Sequence, residues 1–263
     1  MNGLSVIHLE LTSRCNKACW MCGRRKIERD YPHLAQWGDM PYEMVEKIAK
    51  QVPPGIVVQF HNNGEPTLYP RLREALDLFP NQIKAFNTNG KMLLQRAEDI
   101  IDHLDCLTLS VHQDDPEMDR QHEIMTRFWA IKGNRKPQVI YRLLGNVDSQ
   151  PWRQHHLKGI IARRVFHDPM GSFNYRKKPT IPEFGICLDL LTHMAIDRYG
   201  NVSCCVRFDP EGKGILGSVI DNTLEEIWNG ELRQQWIEHH KRGQRDLVPL
   251  CASCAFWGCP VSP

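Results

Sequence analysis

The sequence predicts an α/β protein, an open and curved partial barrel of the (β/α)6 type followed by a small cysteine-rich module. Three observations carry that expectation. Short strand-like apolar runs alternate with helical patterns from Val6 to Phe166, and such alternation implies right-handed crossovers and a parallel sheet. Six strands fall short of a closed eightfold barrel. From Cys187 onward the alternation stops, and cysteines, a hairpin and short helices take over.

In chain order, Val6 to Leu11 reads as the first strand, with apolar residues flanking His8 and Glu10. Met44, Ile48 and Val52 recur at helical spacing, with Pro41 near the first turn, where its missing N–H costs nothing. Pro53, Pro54 and Gly55 stop that helix, and Ile56 to Phe60 forms a buried strand. Asn62 to Pro66 is the next turn, ahead of a helix from Leu72 to Leu78. The cycle repeats as strand Ile83 to Phe86, turn Asn87 to Gly90, helix Leu93 to His103 and strand Cys106 to Val111. A helix over Pro116 to Ile131 leads to the strand Val139 to Leu143, then a weakly patterned helix, Gln154 to Ile161, and a short strand, Arg164 to Phe166. Ligands of such sheets sit at the carboxyl ends of the strands. One rim therefore gathers the loop after Leu11, the turns Asn62 to Pro66 and Asn87 to Gly90, and Ser110 to His112.

Composition narrows the function class. The chain has 263 residues, 41% hydrophobic and 24% charged, enough for one large core or one core plus a small module. No apolar run reaches membrane-spanning length and no signal-peptide pattern opens the chain, so a cytoplasmic protein without membrane contact is expected. Ten cysteines without an export signal argue for a reducing compartment and against a disulfide scaffold. A net charge of +2 does not imply a nucleic-acid coat. Basic residues cluster locally at Arg24, Arg25, Lys26 and Arg29. In 151–180, Arg153, Lys158, Arg163, Arg164, Arg176, Lys177 and Lys178 stand against the single acid Asp168.

The chemistry starts at Cys15, Cys19 and Cys22, spaced C-x3-C-x2-C in the loop after strand one. Three closely spaced thiolates favour a soft metal centre. Structural zinc usually takes two ligand pairs, and no fourth partner lies nearby. Three ligands on a four-iron cube would leave one iron open. Further on, Cys187 is followed by twelve residues, Gly200, four residues and Cys205, then Cys251, Cys254 and Cys259. Met194 to Val202 reads as a hairpin turning at Gly200 and Asn201. Leu224, Ile227, Trp228, Leu232, Trp236 and Ile237 continue a helical apolar face toward His240. Two thiols on hairpin arms plus a C-x2-C loop can close a four-thiolate cage around a cluster or zinc. Strand alternation turns Cys204 away from its neighbour, and Cys106 reads as a buried strand thiol.

The C-x3-C-x2-C loop, the Asn63-Gly64-Glu65-Pro66 turn after strand two, and the series C-x12-G-x4-C, G-x-L-G, Leu224-Glu-Glu-Ile-Trp-Asn229 and C-x2-C together resemble radical S-adenosylmethionine (SAM) enzymes with a SPASM/Twitch extension. The resemblance implies a partial (β/α)6 TIM-like barrel over 1–180 and a SPASM/Twitch iron–sulfur module over 181–263. It implies two 4Fe-4S clusters and SAM. Cys15, Cys19 and Cys22 would hold the SAM-binding cluster, whose open iron chelates the amino and carboxylate groups of SAM. Cys187, Cys205, Cys251 and Cys254 would hold one auxiliary cluster, with Cys259 as the rival ligand, because a full SPASM domain has seven cysteines and this chain has six there. In that family a G-G-E-type turn binds the SAM ammonium with its backbone; here it is Asn63, Gly64, Glu65 and Pro66, with Asn in place of the first Gly. Polar residues ending strands three and four, here Asn87, Asn89 and Ser110, would contact ribose or carboxylate. Met21 stands where the family usually has an aromatic residue beside the adenine, with Trp20 one place earlier.

The implied reaction begins when an external one-electron donor, such as flavodoxin or ferredoxin, reduces the first cluster. SAM is then cleaved to methionine and a 5′-deoxyadenosyl radical, which takes a hydrogen from an unactivated carbon. A short chain with one auxiliary cluster is most similar to the Twitch-type dehydrogenases of that family. The leading expectation is therefore hydrogen abstraction from a small polar metabolite, giving oxidation, epimerisation or rearrangement. A second reading makes the basic stretches ligands for an anionic substrate such as a nucleotide, with Phe173 and Tyr175 stacking near Arg176. Charge runs are more often solvated faces, so nucleic acid is not favoured. Peptide modification needs a leader-binding region, for which a strand beginning almost at Met1 leaves no room. A non-enzymatic iron–sulfur carrier would not need the Asn63 to Pro66 turn. By position, Arg176, Tyr141, Arg142 and His112 are candidate general bases.

Overall fold

The computed structural model describes residues 1–153, 159–164, 186–206, 209–252 and 254. Within them the strands are β1 (Val6–Leu9), β2 (Val57–Gln59), β3 (Ile83–Thr88), β4 (Cys106–His112), β5 (Gln138–Leu144), β6 (Gly159–Arg164), β7 (His193–Ile196), β8 (Asn201–Ser203) and β9 (Ile215–Ser218). They form one open sheet in the order β6-β5-β4-β3-β2-β1-β7-β8-β9. Strands β1 to β6 pair in parallel, each with its sequence neighbour, as the (β/α)6 reading requires. The helices are α1 (Arg24–Asp30), α2 (Tyr42–Ala49), α3 (Leu72–Asp77), α4 (Ala97–Ile100), α5 (Met118–Lys132), α6 (Gln150–Arg153), α7 (Leu188–Thr192), α8 (Leu224–Asn229) and α9 (Glu231–Lys241).

One face of the sheet makes the core. Ile7, Leu9, Val58, Phe86, Leu107, Leu109, Val139, Tyr141 and Leu143 are completely buried, against Val45 and Ile48 of α2, Leu72 and Leu76 of α3, and Met125 and Phe128 of α5. Burying each such side chain contributes roughly 1.5–3 kcal/mol. A one-residue slip would carry the whole apolar set to the opposite face, so this pattern fixes the register. The opposite face carries His8, Gln59, Asn87, Thr108, Ser110 and Arg142, all partly buried.

Three elements differ from the sequence reading. Residues 159–161, expected at the end of a helix, begin β6, in which Ile140 pairs Ile160 and Tyr141 pairs Ile161; the edge of a growing parallel sheet captures a short apolar run of either kind. The rest of that helix, 154–158, and the end of the following strand, 165–166, lie outside the described residues. Helix α1 forms where only a basic run was noted. β7 continues the parallel sheet beside β1, in register Val6 with His193, and β8 and β9 then turn back antiparallel. The β7–β8 turn is the expected one at Gly200, whose φ is 87°, with Asp197 Oδ1 accepting from Tyr199 N and Asn201 N at 2.9 Å. Among the described residues no helix is long and apolar enough to cross a membrane.

Candidate active site and cluster cages

The first cysteine trio occupies the loop after β1. Cys15, Cys19 and Cys22 carry free, partly buried thiols, and Cys22 N donates to Cys19 O at 3.1 Å. Burial pushes the Cys19 thiol up to about 12, opposed by Lys17 and reinforced by Cys22 and Cys15. Burial raises Cys15 as well, with Cys22 adding to it. The three thiols lie within electrostatic reach of one another, and cationic iron there would favour their thiolate forms. Lys17 pairs with the buried Asp115 and lies 3.9 Å from Glu117. Lys91 joins Glu117 at 2.6 Å and donates to Asn16 O at 3.1 Å. These charges tie the cysteine loop to the segment between β4 and α5, and no local sequence signal announces them.

The turn after β2 docks on the same loop. Glu65 N donates to Arg14 O at 2.8 Å, and a Cβ on Gly64 would stand 1.9 Å from Thr12 O. The Glu65 carboxylate, 2% exposed, accepts from Thr67 Oγ1 at 2.6 Å, Thr88 Oγ1 at 2.7 Å, Asn89 N at 2.8 Å and Thr67 N at 3.3 Å. Burial raises its pKa against the pull of those donors. Its oxygens are engaged inside the protein, so Glu65 shapes the turn. Asn63 N donates to Glu10 at 3.1 Å; an ammonium group, being a donor only, would be met at this turn by carbonyl oxygens. Asn89 Nδ2 donates to Asn16 Oδ1 at 2.8 Å and lies 3.9 Å from Cys15 Sγ. The structure thus brings Asn63, Gly64, Glu65, Pro66 and Asn89 to the cysteine loop.

Asn87 and Ser110 belong to a second group on the polar face of the sheet. Arg142 donates to Ser110 Oγ at 2.7 Å. With the Asn87 amide oxygen turned toward Arg142, it accepts from both terminal guanidinium nitrogens at 3.1 Å and from His61 Nε2 at 2.7 Å. His61 Nδ1 accepts from Asn87 N at 3.3 Å, which completes a neutral imidazole. Burial, then His8 and Arg142, holds His61 well below the usual histidine value. Burial and the nearby His193 lower His8 to about 3. The His8 ring centroid lies 6.0 Å from His61 and 5.5 Å from His193. This row of imidazoles comes from three separate strands or strand ends, and sequence reading missed it.

Several sequence candidates have other work. Tyr141 is completely buried on the core face, its hydroxyl accepting from Trp129 Nε1 at 2.6 Å, so it does not reach the polar face. His112, 4% exposed, has Nε2 3.3 Å from Asp115. The Arg24 guanidinium stacks 3.8 Å from the Trp37 ring centroid and donates to Ser13 O. Arg25 pairs with Glu28 and Arg29 with Asp30, both at 2.7 Å. Lys158, Phe173, Tyr175, Arg176, Lys177, Lys178 and Cys259 lie outside the described residues.

The second cysteine group lines one cavity, with Cys187, Cys204, Cys205, Cys251 and Cys254 in its wall. Burial raises Cys187 and pushes Cys251 up to about 12, with the neighbouring thiols adding to both. Cys204 does not turn away as strand alternation suggests: it is 2% exposed and lines the cavity. β8 ends at Ser203, so alternation no longer governs residues 204 and 205. Among the described residues no three His, Cys, Asp or Glu side chains converge tightly enough to hold a single metal ion. Five thiols on the wall of one cavity offer the thiolate donors that a multi-iron cluster takes. Beside this cage lies a cavity of about 380 Å³, bordered by Asn62 and Asn63, by Glu10, by Arg198 and Tyr199 of the β7–β8 turn, and by Cys205. Glu10, 4% exposed, accepts from Asn63 N at 3.1 Å and Arg198 N at 3.2 Å and so ties the two sides together.

Comparison with known proteins agrees with this geometry. Residues 187–255 match the SPASM iron–sulfur cluster-binding domain. The chain is 22% identical over 261 residues to the S-adenosyl-L-methionine-dependent 2-deoxy-scyllo-inosamine dehydrogenase of Niallia circulans, covering 95% of this chain and 92% of that one. Its fold is similar to that of BtrN in complex with AdoMet and 2-DOIA, with a TM-score of 0.59, 18% identity and coverage of 95% and 92%. It is also similar to Streptococcus suis SuiB bound to the precursor peptide SuiA, with a TM-score of 0.63, 13% identity and coverage of 87% and 65%.

Proposed function

We propose that this chain, whose residues 187–255 match the SPASM domain and which aligns over 95% of its length with an S-adenosyl-L-methionine-dependent dehydrogenase, is a radical SAM enzyme that uses iron–sulfur clusters and SAM to abstract a hydrogen atom from a small polar metabolite and oxidise it. The cofactors supply a carbon-centred radical and, at the auxiliary site, an electron acceptor. Cys15, Cys19 and Cys22 would hold the first cluster; Cys187, Cys251, Cys254 and a thiol of the Cys204–Cys205 pair would hold the second. Residues 1–180 would form the SAM-binding part and 181–263 the auxiliary part. Asn63, Gly64, Glu65, Pro66 and Asn89 would seat SAM against the cysteine loop. On the polar face, Asn87, Ser110 and Arg142 would orient hydroxyl groups, and the neutral imidazoles of His8 and His61 can both donate and accept hydrogen bonds there.

One observation carries the oxidative reading. The cavity of about 380 Å³ touches Asn63 of the SAM turn and Cys205 of the auxiliary cage, so a substrate held in it borders both sites. The 2-deoxy-scyllo-inosamine dehydrogenase relative, which acts on a small polar substrate, supports the same class. The electron donor would be external. With anaerobically reconstituted protein, reductant and SAM, a deuterated substrate should pass deuterium into 5′-deoxyadenosine. Failure to form 5′-deoxyadenosine above background would sink the proposal.

A further inference from the structure

We propose that Asp115 is a positioning residue for the first cluster: it holds the Lys17 ammonium against the cysteine loop and balances its charge, so that the pair sets the potential at which the cluster accepts an electron. This rests on the reading of Cys15, Cys19 and Cys22 as ligands of the SAM-binding cluster. Lys17 lies between two of those cysteines, yet its side chain is only 6% exposed, and the Asp115 side chain it pairs with is fully buried. Asp115 is fixed from its own side as well: Oδ1 accepts from Glu117 N at 3.1 Å, just ahead of α5, and His112 Nε2 lies 3.3 Å from Oδ2. Glu117 stands 3.9 Å from Lys17 and joins Lys91 at 2.6 Å, and Lys91 donates to Asn16 O, one residue past Cys15, at 3.1 Å. Two ammonium and two carboxylate groups thus balance beside the loop.

Holding a loop in place does not call for charge. A buried ion pair gives little or no net stability over an apolar pair of similar volume, because both groups must leave water. What it supplies is fixed charge that salt screens weakly, and here that charge lies within electrostatic reach of the Cys19 sulfur. The potential of an iron–sulfur cluster follows its net charge, the hydrogen bonds to its sulfurs and its exposure. An unbalanced Lys17 would favour the reduced cluster, and an unbalanced Asp115 the oxidised one. Asp115 stands 98 residues along the chain from Lys17, so the balancing half of the pair comes from a different strand end, and cysteine spacing carries no sign of it.

The test is a redox titration of full-length protein, reconstituted anaerobically and followed by EPR, with the first cluster recognised as the one whose reduced signal changes when SAM is added. Asp115→Asn keeps the side chain's shape and leaves the Lys17 charge unbalanced. It should raise the midpoint potential by about 59 mV, tenfold in the reduction equilibrium of a one-electron couple. Lys17→Met should move the potential the opposite way. The double variant K17M/D115N, with both charges gone, should return to within about threefold of wild type in that equilibrium. Because the single shifts differ in sign, either variant can be read alone if the other does not fold. A shift that is absent or reversed in a folded single variant, or a double variant displaced as far as either single one, would overturn the proposal and leave the pair a mechanical strap. No SAM-responsive signal in the wild type would overturn the radical SAM reading itself, and this inference with it.

Discussion

At the scale of single residues, Gly64 carries the strictest geometric demand in the turn proposed to seat SAM. Its missing Cβ is what lets the turn lie against Thr12 and Arg14, since an added methyl would stand 1.9 Å from Thr12 O and 2.9 Å from Arg14 O. Both neighbours are backbone atoms of the cysteine loop, so relief requires moving the loop itself. Gly64→Ala should therefore cost about 1–3 kcal/mol in stability, the usual range for overpacking. It should also lower SAM affinity at least about tenfold, which matches a misplacement worth 1.4 kcal/mol or more. Equilibrium dialysis of SAM on the reconstituted variant checks this; unchanged affinity would show that the turn does not seat SAM. The sequence reading gives the adjacent Glu65 a backbone role in that turn, and its carboxylate is taken up inside the fold by four hydrogen bonds from Thr67, Thr88 and Asn89. A motif letter records that a residue type is needed, and only the fold tells whether it faces the ligand or its own chain.

At the scale of elements, polar side chains join neighbouring pieces of backbone. Asp105 accepts from Lys84 N at 2.9 Å at β3 and pairs with Lys136 Nζ at 2.6 Å before β5. Burial works to raise its pKa, but the Lys136 ammonium and the Lys84 N–H outweigh it and hold the carboxyl below the usual range. A depressed carboxylate stabilises the fold above its unfolded value of about 3.9 and loses that contribution as pH falls through the folded value. Asp105→Asn should cost about 1 kcal/mol or less at pH 7, given its partial exposure. The difference from wild type should shrink in denaturant unfolding as pH falls below about 3.9. A second junction is Arg233 of α9, which donates to Trp228 O and Leu190 O at 3.0 Å and to Leu191 O at 3.2 Å, over the Trp228 ring. Arg233→Met leaves three carbonyls without that donor and should lower unfolding free energy by about 3 kcal/mol, measured by urea denaturation. Period-2 and period-3.6 patterns made β1 to β5 and α2, α3 and α5 readable, because each buries one regular face. β6 was not readable, since Ile160 and Ile161 fit either period, and α1 was not, since only Arg24 and Ile27 of its seven residues are buried. His8, His61 and His193 leave no local trace because pairing alone brings them together.

At the scale of the whole molecule, the sheet is what joins the two cysteine groups. β7 pairs with β1, so the strand that leads into the first cysteine loop also carries the hairpin after which Cys204 and Cys205 follow. Glu10, one residue past β1, then bonds Asn63 N on one side and Arg198 N on the other. Despite that shared framework, the two cages draw their thiols from separate loops. Among the described residues the cavity of the second set is lined by none of Cys15, Cys19 and Cys22, so each set should load iron by itself. Wild-type protein reconstituted anaerobically should hold about eight irons per chain, and Cys19→Ala and Cys251→Ala about four each. Cys19→Ala should also abolish SAM cleavage, because the proposed open iron would belong to the first site. Cys251→Ala should keep slow reductive cleavage of SAM to 5′-deoxyadenosine while losing substrate oxidation by at least about a hundredfold, about 2.7 kcal/mol in barrier. Iron assay and product analysis of the two variants test both halves together. If Cys251→Ala oxidised substrate at the wild-type rate, the auxiliary cluster would have no part in removing the electron. The electron would then have to return to the first cluster or leave to an external acceptor.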